Sequence, residues 1–102
     1  MPGTDAQNHR LEDHQIADRL AALEGWVRSS DGLRISRRFA FKGFAAAVEM
    51  ANLAAWLGNR RDHHPDIAFG WGYCEVTYTT HDAGGLTDKD LDAAAALNAL
   101  VA

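Results

Sequence analysis

The stretch "RDHHPDI" at 61 to 67 sets two histidines side by side before a proline, in a chain with five histidines among 102 residues. Imidazole has an unperturbed pKa of about 6.5, so a histidine can give or take a proton at neutral pH. Pro65 pushes His64 out of the α region into an extended conformation, where neighbouring side chains point in opposite directions. His63 and His64 therefore cannot both be core residues. The plain alternative has one of them hydrogen-bonded to the end of the preceding helix and the other simply exposed.

His81 adds a third imidazole at the end of a strand pattern, with the polar parity of Thr77 and Thr79 and the turn "DAGG" just after it. Loop-borne polar residues at strand ends are where sites usually form. Three histidines admit a zinc site. The adjacent pair diverges if extended, however, and no HxH or HExxH spacing holds two rings on one face, so acid-base chemistry fits better than metal binding. Two such groups at one pocket can remove a hydroxyl and a proton from one substrate.

Asp90 has two readings. In "TDKD" Thr87 is a natural N-cap and Asp90 stands at the third helical position, an acidic version of the capping box that also suits the helix dipole. Capping alone would explain it. Trp26, Trp56 and Trp71 are in character for core or interface. The "GWG" at 70 to 72 lacks the third glycine of a dinucleotide fingerprint and lies in a hairpin pattern.

The elements that must position these residues follow from periodicity. Residues 1 to 11 are polar and aperiodic, a loose leader before a single domain over 12 to 102. A helix is expected over about 13 to 23, with Ile16, Leu20 and Leu23 on one face. Two strands joined at Asp31-Gly32 follow, with Leu33, Ile35, Phe39 and Phe41 on one face and Arg37 spoiling the alternation. An alanine-rich helix is expected from about Gly43 to Leu57, with Phe44, Val48, Ala51 and Ala55 in one stripe and Gly58 as its stop. The second hairpin is expected to turn near Gly72-Tyr73, with Cys74, Val76 and Tyr78 sharing a face. A last helix runs from Thr87 to the end. This order predicts an α+β fold: a four-stranded antiparallel sheet with three helices packed on one face.

Composition narrows the function classes. The length fits one domain with one core. Ten Lys and Arg against fourteen Asp and Glu give a net charge of -4, and the basic residues are scattered apart from Arg37-Arg38 and Arg60-Arg61. That is no basic stripe for nucleic acid. Cys74 is the only cysteine, which excludes an intrachain disulfide or a cysteine metal knuckle. The start "MPGTDAQNHRLED" has no apolar run of a secretory signal, and Glu49 and Asn52 interrupt the alanine-rich stretch too early for a membrane span. A soluble, cytoplasmic protein is expected.

"DHHPDI" at 62 to 67, "TTHDAGGLTDKDLDAA" at 79 to 94, "EGW" at 24 to 26 and "FAFKGFAAA" at 39 to 47 together resemble the pterin-4a-carbinolamine dehydratases, also called 4a-hydroxytetrahydrobiopterin dehydratases. The likeness runs from about residue 13 to the C-terminus. Its specific part is His-His-Pro, a histidine seventeen residues after His64, and "GLTxxD" with its aspartate nine residues after His81.

The resemblance implies the same four-stranded, three-helix fold, assembled as a homodimer or homotetramer. It implies as substrate the 4a-hydroxytetrahydropterin released by aromatic amino acid hydroxylases, dehydrated to quinonoid dihydropterin with no metal or organic cofactor. Carried over by position, His63 and His81 are the general acid and base, His64 binds and orients the pterin, and Asp90 orients a histidine. Pro65 and the segment Thr80, His81, Asp82, Ala83 match the lining of the pterin pocket, and Trp26 matches a tryptophan near the site. Asn59 departs from the pattern, which commonly has a charged residue there. The competing reading is a binding module on the same scaffold, since dehydratase-like relatives include transcriptional coactivators and RuBisCO assembly factors.

Overall fold

The structure, a computed structural model, describes residues 9–102. Helix α1 (Asp13–Ala21) leads into strand β1 (Val27–Arg28) and strand β2 (Ile35–Ala40); helix α2 (Phe44–Arg61) leads into β3 (Asp66–Gly70) and β4 (Tyr73–Tyr78). A short 3₁₀ turn (His81–Ala83) and helix α3 (Asp88–Val101) complete the chain. All strand pairs are antiparallel, in the order β1-β2-β4-β3. The fold is therefore the α+β architecture expected from the pattern. Most of the expected leader lies outside the described residues, and at its end the Leu11 N–H donates to the Leu86 carbonyl at 2.8 Å.

The sheet buries one face because its residues alternate. On β4, Cys74, Val76 and Tyr78 are fully buried, as is Ile35 on β2, and they meet Ile16 of α1 and Leu91 and Leu97 of α3. Removing these side chains from water drives the assembly at roughly 25 cal/mol per Å² of apolar surface. Arg37 shares the buried parity without burying its charge. Its guanidinium lies over the Phe39 ring at 4.4 Å and donates to Asn98 Oδ1 at 2.6 Å.

Three boundaries differ from the sequence reading. Helix α2 does not stop at Gly58; it continues through Arg61 and ends at Asp62, which takes the left-handed conformation at φ 52°. Its buried stripe is Ala47, Ala51, Ala54, Leu57 and Gly58, so Phe44 and Ala55 face solvent. The apolar stripe turned because small residues, rather than the largest ones, let α2 lie close to the sheet. The second hairpin turns at Trp71-Gly72, one residue earlier than expected, with Gly70 opposite Tyr73 and Gly72 at φ 88°. Helix α1 ends at Ala21, and Leu23 is buried just beyond it.

Candidate active site

The site is built where the C-terminal end of α2 meets the N-terminal end of α3. Asp62 caps α2 with its N–H to the Asn59 carbonyl at 3.3 Å, and the His63 N–H returns to the Gly58 carbonyl at 3.1 Å. This reversal lays His63, His64 and Pro65 back against the helix they leave. Gly58 makes room for it. A Cβ there would stand 2.8 Å from Pro65 Cδ and 3.4 Å from His64 Cα. Glycine inside a helix costs about 1 kcal/mol relative to alanine, and here the cost is offset by the close approach of the histidine segment.

From this position His63 meets Asp90. Its Nε2 lies 2.7 Å from Asp90 Oδ1, with the His63 side chain 13% exposed and that of Asp90 0% exposed. The other carboxylate oxygen, Oδ2, accepts the Thr80 hydroxyl at 2.7 Å and the Thr87 N–H at 2.9 Å. One carboxylate oxygen thus caps α3 while the other lies at hydrogen-bond distance from His63.

The hydrogens of this cluster can be assigned in order. A carboxylate only accepts, so Thr80 gives its proton to Asp90. Thr87 must then donate to Thr80 across their 2.9 Å contact, and Thr87 Oγ1 in turn accepts the Lys89 N–H at 3.2 Å. By the same logic the neutral His63 carries its proton on Nε2, pointed at Asp90, and leaves Nδ1 free to accept.

His64 is held differently. It is exposed, and its Nε2 pairs with Asn59 Oδ1 at 2.9 Å, one turn back on α2. His81 opens the 3₁₀ turn directly after Thr80 and is exposed, as is Asp82; Ala83 and Pro65 are half-buried. Because Thr80 is anchored on the carboxylate that holds His63, His81 stands next in the chain to the same cluster. Thr80 itself is buried with its hydroxyl committed to Asp90. Trp26 is buried, with its indole N–H on Asn98 Oδ1 at 2.8 Å.

Tyr78 was read from the sequence only as a core strand residue, and it reaches the site. Its ring stacks on His63 with centroids 5.8 Å apart and planes within 12°, and it also contacts Trp26 at 5.7 Å. Its hydroxyl is buried with no hydrogen-bond partner among the described residues. Burial pushes the phenol up to about 12, with nearby Arg61 pulling it down and Asp90 pushing it up. The strand parity of Tyr78 announced burial; its stacking on a histidine more than ten residues away is a tertiary contact that no local pattern carries. Gly58 left a weak signal, being a glycine in an otherwise alanine-rich helix.

The family comparison extends over nearly the whole of this framework. The profile of the family described as pterin 4 alpha carbinolamine dehydratase matches residues 9–100. The chain belongs to that family. A Paracoccus denitrificans protein named "Putative pterin-4-alpha-carbinolamine dehydratase" is 48% identical over 89 residues, covering 87% of this chain and 83% of the relative. A Stenotrophomonas maltophilia protein of the same name is 38% identical over 93 residues, covering 91% and 80%.

Solved structures agree. The fold superposes on a transcriptional coactivator/pterin dehydratase from Brucella melitensis with a TM-score of 0.84 at 32% identity, covering 92% of this chain and 100% of that one. It also matches a pterin dehydratase-like protein identified as a RuBisCO assembly factor in the alpha-carboxysome, with a TM-score of 0.63 at 26% identity, covering 76% and 89%. The pterin carbinolamine dehydratase family thus includes members described by partners as well as by chemistry. Among the described residues, no helix is long and apolar enough to cross a membrane, and no three His, Cys, Asp or Glu side chains are grouped to hold a metal ion.

Proposed function

We propose that this chain dehydrates a 4a-hydroxytetrahydropterin to quinonoid dihydropterin and water, with His63 as the proton acceptor and His81 as the proton donor. The observation that carries the assignment is the 2.7 Å contact between His63 Nε2 and the fully buried Asp90. With Nε2 committed, Nδ1 takes the proton from N5 of the pterin. The electron pair of that N–H bond becomes the C4a=N5 double bond as the C4a–O bond breaks. The departing hydroxyl receives a proton from His81 and leaves as water. One proton enters the pair and one leaves it, so solvent exchange resets both histidines.

Asp90 supports this direction of transfer. A histidine that gains a proton becomes an imidazolium, and a carboxylate at hydrogen-bond distance stabilises that charge as it forms. His64, held by the uncharged Asn59, suits binding and orienting the pterin. Pro65, Asp82 and Ala83 line the same pocket in this reading, while Thr80 and Trp26 act through Asp90 and Tyr78. The substrate would come from an aromatic amino acid hydroxylase in the cytoplasm, and the reaction would recycle tetrahydrobiopterin.

The test is the disappearance of a 4a-hydroxytetrahydropterin, generated in situ by a phenylalanine hydroxylase, against its spontaneous background. Clear acceleration is expected, lowered by about 10²- to 10⁴-fold in His63→Ala and in His81→Ala. No acceleration by folded protein would favour the binding-module reading, in keeping with the two structural neighbours, one described as a coactivator/dehydratase and the other as an assembly factor.

Self-association is part of the proposal. Phe44 and Phe69 are 52% and 43% exposed and contact each other with centroids 6.1 Å apart, and Trp71 on the adjoining turn is 71% exposed. Exposed aromatics grouped in this way suit burial against another copy. Sedimentation should show a dimer or tetramer that Phe69→Ser weakens.

A further inference from the structure

A proton acceptor at His63 needs two things fixed: the direction of Nε2, and the plane of the ring, which decides where the Nδ1 lone pair points. The 2.7 Å contact with Asp90 supplies the first. Stacking supplies the second. The Tyr78 ring lies within 12° of the His63 plane with centroids 5.8 Å apart, and Tyr78 also contacts the Trp26 ring at 5.7 Å. The groups that hold Trp26 therefore bear on His63 at two removes.

Three successive residues, Glu24, Gly25 and Trp26, are held together. The Trp26 indole N–H donates to Asn98 Oδ1 at 2.8 Å, and Asn98 Nδ2 donates to the Glu24 carbonyl at 3.1 Å. Between them Gly25 takes φ 85°, and a Cβ there would stand 2.6 Å from Arg37 Nε. Arg37 Nη1 in turn donates to the same Asn98 Oδ1 at 2.6 Å. The amide has one workable orientation, because a flipped Asn98 would aim its NH₂ at two donors and its oxygen at a carbonyl. A buried indole needs a single acceptor for its N–H. Asn98 is more than that, since the Arg37 contact and the tie to Glu24 fix the acceptor itself.

Asn98 also shares a face of α3 with Asp90. Asp90, Ala94 and Asn98 fall four residues apart, and Ala94 between them is fully buried. One helix thus reaches His63 twice: directly from its first turn through Asp90, and about two turns later through Asn98, Trp26 and Tyr78.

We propose that Asn98, seated by Arg37, is a positioning residue for the dehydration, and that through Trp26 and Tyr78 it sets the ring plane of His63. The proposal rests on the dehydratase reading and deepens it. Loss of Asn98 should lower kcat and leave KM nearly unchanged, because His64 and Pro65, the groups assigned to pterin binding, are untouched.

The test is Asn98→Leu in the full chain, read by the NMR shifts of the His63 ring protons without substrate and by kcat and KM for dehydration. Protons over the face of a stacked ring are shielded, so loosening the stack should move the His63 signals toward those of an exposed histidine. The expected fall in kcat is about tenfold. Asn98→Asp keeps an acceptor for Trp26 and Arg37 and should restore both readings. A purely structural Asn98 would lower the unfolding midpoint and move neither. In folded Asn98→Leu, unmoved His63 signals, or moved signals with kcat intact, would overturn the proposal. If Asn98→Leu does not fold, Trp26→Phe replaces it: the N–H given to Asn98 is deleted, a ring remains against Tyr78, and the same two outcomes decide. No dehydration by the wild-type chain would sink the dehydratase reading and the role of Asn98 with it, whereas dehydration by wild type with unmoved His63 signals in the variant would sink the proposal alone.

Discussion

Adjacent in the chain, His63 and His64 point their Nε2 atoms at partners of different kinds: the buried carboxylate of Asp90 at 2.7 Å and the exposed carboxamide of Asn59 at 2.9 Å. The divergence expected of residues before a proline is what separates them. One ring turns inward, onto Tyr78 and the capping box of α3; the other turns back along α2. A carboxylate is a charged acceptor, whereas a carboxamide oxygen accepts without a formal charge. Two identical side chains thereby have supports that differ in charge and burial.

Breaking the inward support has the largest expected effect. Asp90→Ala removes the partner of His63, the acceptor of Thr80 and the cap of α3 together, leaving buried donors unpaired. A loss of about 3 to 5 kcal/mol is expected, read from urea unfolding. A loss below 1 kcal/mol would mean that the cluster is not cooperative. Gly58→Ala comes next. The added methyl meets Pro65 Cδ at 2.8 Å, and a proline ring cannot rotate away, so overpacking of about 1 to 3 kcal/mol is expected. It should also displace both histidines and lower the dehydration rate. A variant as stable and active as the parent would show that the close approach is not needed.

Breaking the outward support should do less. Asn59→Ala leaves His64 in place but unanchored, and an exposed hydrogen bond of about 0.5 to 1 kcal/mol predicts a rise of a few fold in KM with kcat little changed. A fall in kcat alone would move His64 from binding into proton transfer. Asn59→Asp keeps the acceptor and should restore KM.

The smallest effect belongs to Tyr78→Phe, which keeps the ring on His63 and deletes an unpartnered hydroxyl. Stability at pH 7 should be unchanged or higher by about 1 kcal/mol. The same variant sharpens a pH dependence. In the folded chain the phenol is pushed up to about 12, from an ordinary value of 10.0. Below pH 10 both states hold the proton; between 10 and about 12 the unfolded chain loses it first, so stability falls as pH rises through that window. Tyr78→Phe should flatten the fall, and an identical alkaline profile would place the hydroxyl in contact with solvent.

How much of this was legible in the sequence follows from the range of each interaction. The element order, the core parity of Cys74, Val76 and Tyr78, and the Thr87 cap are local patterns, and they reappear in the structure. The end of α2 was misplaced because Gly58 reads as a stop; its lack of a Cβ serves Pro65, which lies seven positions later. The spacing of His63, His64, His81 and Asp90 singled out a candidate site, and resemblance supplied their roles. What spacing could not convey is that one carboxylate joins His63 to Thr80 and Thr87, or that Tyr78 stacks on the inner histidine, since both depend on how α2, α3 and β4 meet.

The most direct measurement is a double-mutant cycle on His63 and Asp90, read as kcat/KM for dehydration in His63→Ala, in Asp90→Asn and in the pair. Asparagine keeps the size of the side chain while removing the charge that favours an imidazolium. If Asp90 acts through His63, the double variant should be about as slow as His63→Ala alone, because the carboxylate has nothing left to support. Losses that multiply would contradict the account, giving Asp90 a role in the reaction that does not pass through His63.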